Sequence, residues 1–98
     1  MVKVRWTEQA RADLIDIFEQ VASDNSIAAR KLLQQLRESE GLLLEHPLLG
    51  RVVPEFEVAN IRERIVPPYR VIYQVLPDLV LFLAVVHSRR NLAAREWR

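Results

Sequence analysis

Residues 69–87 read YRVIYQVLPDLVLFLAVVH and carry the strongest strand signal in the sequence. It contains two runs rich in β-branched, aromatic and other apolar residues, 69–76 and 79–87, which are separated only by Pro77 and Asp78. Such runs favour strands, and a connection of two residues joins antiparallel neighbours. The stretch therefore predicts a β-hairpin.

Two further strands are predicted outside this hairpin. Ile61–Val66 precedes it across Pro67 and Pro68, and residues 2–6 alternate between apolar and basic side chains. That alternation is typical of a short strand with one face buried. Arg51–Asn60 has no clean period, and we predict a loop there.

Two amphipathic helices are predicted between the opening strand and this loop. Thr7 offers an N-cap for the first, which extends to about Ser23, and Ser26 offers one for the second, which ends before Pro47. The order β-α-α-β-β-β indicates an α+β fold with a single domain over residues 1–98. In this fold a helical hairpin packs on one face of an antiparallel sheet and leaves the other face open.

Composition bounds the classes of function. The chain has 98 residues, half of them apolar and 28% charged, which is typical of one folded domain. It has no cysteine and only two histidines, far apart in sequence, so we expect no disulfide, no metal site and no cofactor. Since no apolar run could cross a bilayer and no secretion signal is apparent, we expect a cytoplasmic protein without membrane contacts.

Charge is distributed unevenly along the chain. Residues 1–49 carry six basic and eight acidic side chains, whereas residues 50–98 carry eight and five, and those eight are all arginine. The planar guanidinium matches phosphate and carboxylate groups. We therefore expect an anionic or acidic partner for the second half, while a net charge of only +1 argues against non-specific coating of nucleic acid.

The hairpin register makes a prediction about side-chain placement. If Leu76 faces Leu79 across the turn, counting back pairs Ile72 with Leu83 and Arg70 with Val85. Arg70 and His87 then lie on one side of the sheet as diagonal neighbours. On the other side we expect Tyr69, Val71, Tyr73 and Phe82.

The basic residues of these strands allow two interpretations. Arg62 and Arg64 share a face, with Glu63 between them pointing the opposite way. They form either a binding patch for phosphate or an acidic protein, or a solvated face whose charges resist edge-to-edge pairing. His87 is either a hydrogen-bonded structural residue or, beside Arg70, a general acid.

The chain resembles the RelE/ParE toxin superfamily over nearly its whole length. The segments that carry the resemblance are ADLIDI at 12–17, HPLLGR at 46–51, VPE at 53–55, IRE at 61–63, PYRVIY at 68–73 and VHSRR at 86–90. Their order and spacing together are more specific than any one of them. The resemblance implies a growth-inhibiting toxin that forms a hetero-oligomer with a cognate antitoxin.

Two targets follow from different branches of this superfamily. RelE-like members cleave messenger RNA on the ribosome, and in the YoeB-like branch the matching catalytic positions are Glu55, Arg70 and His87. Here, however, the next position is Ser88 instead of a tyrosine, and no lysine follows Lys31. RNA cleavage needs a base, cations and an acid at one place.

ParE-like members instead poison DNA gyrase without cutting nucleic acid themselves. Gly50-Arg51, the chain length and the ending HSRRNL at 87–92 resemble this branch more closely, so gyrase is the favoured target. A ribosome-dependent RNA endonuclease and a non-toxic binding module remain the alternatives. The residues predicted to bind the target or the antitoxin are Arg51, Arg62, Arg64, Tyr69, Arg89 and Arg90.

Overall fold

The computed structural model describes residues 2–89 and residue 92. Its elements are β1 (Lys3–Trp6), α1 (Glu8–Asp24), α2 (Ser26–Glu45), β2 (Arg51–Val52), β3 (Ile61–Val66), β4 (Tyr69–Leu76) and β5 (Leu79–His87). The predicted α+β order is confirmed, with one addition. The segment predicted as a loop begins with a two-residue strand, because Arg51 and Val52 pair with Glu63 and Arg62 of β3.

Polar caps separate the two helices. The Thr7 hydroxyl accepts a hydrogen bond from the Ala10 backbone N–H at 3.0 Å, so this predicted N-cap is confirmed. The second cap was predicted one residue too late. Asn25, rather than Ser26, caps α2, because its carboxamide oxygen accepts from the N–H groups of both Ile27 and Ala28.

The sheet has five strands in the order β1-β5-β4-β3-β2. It is mixed rather than wholly antiparallel, since β1 runs parallel to β5 while all other neighbours are antiparallel. The parallel pair joins the first strand of the sheet to the last, with Lys3 opposite Leu79 and Trp6 opposite Phe82.

A bulge in the β4–β5 hairpin corrects the predicted register. Leu76 faces Leu79 and Tyr73 faces Phe82, as expected, but the pairing shifts between Ile72 and Tyr73. Leu83 is the extra residue, so Arg70 pairs with Val86 and Tyr69 with His87. The prediction that Arg70 and His87 share a face was therefore wrong.

Apolar side chains cover both faces of the sheet. On one face the helices pack on Val71, Tyr73 and Phe82, which are almost fully buried; with Tyr69 these are the residues predicted for that side. The prediction that the opposite face is open was wrong, because the β2–β3 loop and Leu92 cover that face. Its core consists of Val53, Ile72, Ala84, Val86 and Leu92, with Phe56, Ile61 and Leu83 packed against it.

A close contact joins the end of α2 to the helix-covered face. The Gly50 N–H donates to the buried Tyr73 hydroxyl at 2.8 Å. A Cβ at position 50 would come within 2.4 Å of the Glu63 carbonyl oxygen and 2.5 Å of the Tyr73 hydroxyl. Only glycine therefore fits where the chain enters β2. In the part of the chain that the structure describes, no helix is long and apolar enough to cross a membrane.

Candidate functional site

A chain of four charged side chains lies on the face of the sheet away from the helices. At its centre is Arg70, whose side chain is only 6% exposed. Its Nε donates to a Glu63 carboxylate oxygen at 2.7 Å, and Nη2 contacts the same oxygen. Its two terminal nitrogens donate to the two oxygens of Glu55, each at 2.8 Å. This forked geometry is the strong form of the arginine–carboxylate pair.

Glu63 connects this pair to the protein surface. Its side chain is fully buried, and its second carboxylate oxygen accepts from Arg51 Nε at 2.6 Å. Arg51 itself is 63% exposed. Two arginines and two glutamates thus alternate from surface to interior, and their formal charges cancel. We call Arg51, Glu63, Arg70 and Glu55 the charged network. Such a neutral arrangement allows ionised groups to be buried, since an unpaired buried charge is very costly.

The charged network keeps the carboxylate of Glu55, in the β2–β3 loop, in its ionised form. Hydrogen bonds from Arg70 lower the pKa of Glu55 from 4.5 to about 2, against the opposing effect of burial, and a bond from the Leu92 N–H acts in the same direction as Arg70. In turn, Glu55 and Glu63 raise the pKa of Arg70. A carboxylate with so low a pKa is a weak proton acceptor at neutral pH.

His87 lies on the other face of the sheet. Its ring packs edge-on against Tyr69, with 6.2 Å between the ring centroids. Its Nδ1 accepts a hydrogen bond from the Arg89 backbone N–H at 3.2 Å, and the residue is exposed. The structure therefore brings together two of the three residues of the predicted catalytic set, Glu55 and Arg70. The third, His87, is on the opposite side.

The two arginines of β3 point toward the helices. Arg62 donates to the backbone carbonyls of Ala59 and Gly50, each at 3.0 Å, and so ties the β2–β3 loop to the start of β2. Arg64 Nε donates to the buried Ser39 hydroxyl of α2 at 3.2 Å. Within residues 2–89 and 92, neither forms a salt bridge. Arg62 thus stabilises the loop, whereas Arg64 lines a surface groove together with Glu38 and Leu42.

The remaining predicted binding residues are scattered around the strand ends. Tyr69 is half-buried beside Pro67 and Pro68, and Arg89 is exposed just after β5. Arg90 lies outside the described residues. Across those residues, no group of three or more histidine or acidic side chains could hold a metal ion.

Sequence reasoning missed two residues of this region, Glu63 and Leu92. The alternation around Arg62 and Arg64 correctly placed Glu63 on the opposite face, but its partners are 7 and 12 residues away and depend on the strand register. Leu92 gave no periodic signal, since it comes five residues after the end of β5 and follows a polar stretch, residues 87–91.

Known proteins similar to this chain identify its family. Residues 4–92 match a family model described as the ParE toxin of the type II toxin–antitoxin system parDE. Toxin RelE2 of Caulobacter vibrioides is 33% identical over 91 residues, which cover 92% of this chain and 99% of that protein.

A solved structure has the same fold. The chromosomal ParDE TA system from P. aeruginosa contains a chain that superposes with a TM-score of 0.71 at 23% identity, covering 89% of this chain and 96% of that one. The family match spans nearly all of the described residues, and the curated relative aligns along almost its full length. This chain therefore belongs to the ParE toxin family of type II toxin–antitoxin systems.

Proposed function

We propose that this protein inhibits growth by binding DNA gyrase and trapping its cleaved complex with DNA, and that a cognate antitoxin neutralises it in the cytoplasm. The observation that carries the proposal is the separation of the candidate catalytic residues. Glu55 and Arg70 are bound to each other in the charged network, and His87 lies across the sheet. Since the described residues of this candidate set do not place an acid beside a base, their arrangement favours action by binding.

The chemistry of RNA cleavage shows why this separation matters. A general base must reach the ribose 2′-hydroxyl, and an acid must reach the leaving oxygen of the same phosphate. The Glu55 oxygens accept from Arg70 and from the Leu92 N–H, and its pKa is about 2. Arg70 is too buried to stabilise a phosphate in solvent. His87 lies on the opposite face of the sheet, so it is not placed to act on the same phosphate as Glu55 and Arg70.

The exposed cations provide what binding requires. Arg51 and Arg89 are exposed, and Arg64 has donors beyond its bond to Ser39. Guanidinium groups on a surface suit acidic side chains and DNA phosphates, both of which a gyrase–DNA complex would present. Arg90 is included on the sequence alone.

Exposed apolar residues support the antitoxin part of the proposal. Among the described residues, Ile27, Leu48, Ile15 and Leu49 are between 49% and 76% exposed. Ile15 and Ile27 lie on the helical hairpin, and Leu48 and Leu49 lie in the connection between α2 and β2. Exposed apolar surface of this kind is a common mark of a protein partner.

A gyrase cleavage assay tests the proposal. Purified protein is incubated with gyrase, ATP and supercoiled plasmid, and the DNA is denatured and digested with protease before electrophoresis. We expect linear plasmid to accumulate, and Arg89→Ala to need about tenfold more protein, as for one lost charge-assisted hydrogen bond. Arg30→Ala, an exposed arginine of α2, is the matched control and should behave as the unmodified chain.

Expression in a bacterium separates the proposal from a non-toxic binding module. Growth should stop when the folded protein is made alone and resume when the antitoxin is made with it. Unimpaired growth with folded protein present, together with no linear plasmid in the cleavage assay, would contradict the proposal.

A further inference from the structure

Glu55 holds a residue that lies beyond the last strand. Besides binding Arg70, its Oε2 accepts a hydrogen bond from the Leu92 backbone N–H at 3.1 Å. The Leu92 side chain is fully buried against Val53, Ile72 and Val86. The Glu55 carboxylate therefore connects Arg70, in the interior of the sheet, to the backbone of Leu92.

This link is anchored at depth. The two parallel bonds between Glu55 and Arg70 fix the plane of the carboxylate, and Arg70 is held in turn by the fully buried Glu63 of β3. Leu92 contributes a second anchor through its side chain, because burial of a leucine in an apolar core is strongly favourable. The position of the Leu92 backbone thus depends on both a charged and an apolar contact.

Arg89 lies between two fixed points. On one side, β5 ends at His87, the Ser88 N–H donates to the Pro68 carbonyl at 2.8 Å, and the Arg89 N–H donates to His87 Nδ1. On the other side, three residues further along, Leu92 is held by Glu55. An exposed arginine tethered on both sides needs less ordering when it binds than one on a free chain end.

We propose that Glu55 is a positioning residue: by holding Leu92, three residues after Arg89 in the sequence, it limits the positions open to Arg89 and so presents this guanidinium to an anionic group of the target. The choice of gyrase as that target rests on the proposed function. The positioning itself does not, because it concerns contacts within this chain. The role differs from a catalytic one, since Glu55 touches no target atom and acts only through Leu92.

Two substitutions at Glu55 separate the bonds it makes. Glu55→Gln removes the charge that pairs with Arg70. Glu55→Asp keeps the charge but shortens the side chain, so the carboxylate can stay near Arg70 only at the expense of the Leu92 N–H. Glu57→Gln removes an exposed charge from the same loop and is the matched control.

Amide hydrogen exchange measured by NMR reads the positioning directly and needs no partner. In Glu55→Gln and Glu55→Asp, we expect exchange at the Leu92 N–H to accelerate about tenfold or more, as for loss of a bond to a charged acceptor. Exchange at the Val71 and Ile72 amides of β4 should change much less, and Glu57→Gln should leave all three unchanged. Equal acceleration at Leu92 and β4 would show general destabilisation and overturn the proposal.

A double-mutant cycle then tests the connection to Arg89. Binding to gyrase is measured for Glu55→Asp, Arg89→Ala and the two combined. If Glu55 acts on Arg89 through Leu92, Glu55→Asp weakens binding to gyrase several-fold when Arg89 is present. In the Arg89→Ala background, the same substitution weakens binding by less than about twofold. Fully additive losses would overturn the role. If the unmodified chain does not bind gyrase, the proposed target is wrong, while the exchange result still decides whether Glu55 holds Leu92.

Discussion

The two faces of the sheet are built from the same strands but stabilised in different ways. On the helix-covered face, Tyr73 and Phe82 are buried under two long helices, in a core cluster of apolar side chains. On the outer face, Arg70 and Glu63 are buried just as deeply, under a loop and a single leucine. Alternation along β4 places Arg70 next to Val71 in sequence but on the opposite side.

Because of this difference, the two faces should respond to different kinds of substitution. Apolar burial is non-directional and independent of pH, so the helix-covered face should respond to lost volume. The outer face depends on paired charges, so it should respond to the loss of one partner and to protonation. The covering of the outer face also includes Leu92, through which we propose that Glu55 positions Arg89. In that proposal the charged network has a functional as well as a structural consequence.

The largest expected effect comes from the carboxylate that serves two arginines. Glu63→Gln leaves Arg70 with a single anionic partner in a buried site, and we expect unfolding free energy to fall by about 3–5 kcal/mol. Arg51→Gln, which breaks the same carboxylate's exposed contact, should cost under about 1 kcal/mol. Urea denaturation measures both. Equal losses in the two variants would show that burial of the charged network has no energetic weight.

An intermediate effect should depend on pH. The pKa of Glu55 is lowered to about 2 in the folded protein from 4.5, so the folded state favours its ionised form. Its contribution to stability is therefore present above the unfolded pKa and is lost as pH falls from about 4.5 toward 2. We expect Glu55→Gln to be less stable at pH 7 by about 1.5–3 kcal/mol.

The pH dependence separates the two faces. The difference between Glu55→Gln and the unmodified chain should shrink steadily in thermal melts recorded from pH 5 to pH 2. Val71→Ala, on the helix-covered face, should cost the same amount throughout that range. A gap for Glu55→Gln that stays constant down to pH 2 would contradict the assigned ionisation.

A smaller effect tests the junction between the two faces. Gly50→Ala would place a Cβ against Glu63 backbone and the Tyr73 hydroxyl, and we expect a cost of about 1–3 kcal/mol. Gly41→Ala is the matched control, because a Cβ there meets no atom within 4 Å and the residue lies inside α2. It should stabilise the protein by about 0.5–1 kcal/mol. Opposite signs in chemical denaturation would confirm that only Gly50 is sterically constrained.

Local signals in the sequence predicted the elements well. Thr7, whose hydroxyl caps α1, predicted the start of that helix, and Pro77-Asp78 predicted the turn between β4 and β5. Both depend on neighbours within a few residues, which is why they can be read from sequence. The parallel pairing of β1 with β5 could not be read in this way, because the order predicted from the sequence lacked β2 and the two strands meet only in the tertiary structure.

The arrangement of the candidate site could not be read in the same way. Residues 79–86 are all apolar, so nothing in their alternation reveals that Leu83 is an extra residue. That single bulge moves His87 to the face opposite Arg70 and separates the predicted catalytic set. The bonds from Glu55 to Arg70 and Leu92 span 15 and 37 residues, and they follow from the tertiary structure alone.

We propose that this toxin acts by binding and not by cleaving RNA, and one preparation should therefore be given both targets in parallel. One reaction contains gyrase, ATP and supercoiled plasmid; the other contains ribosomes translating a defined messenger RNA, with new RNA ends mapped by primer extension. We expect linear plasmid in the first reaction and no new RNA ends in the second. Translation-dependent RNA ends that disappear in His87→Ala, without linear plasmid, would contradict the proposal.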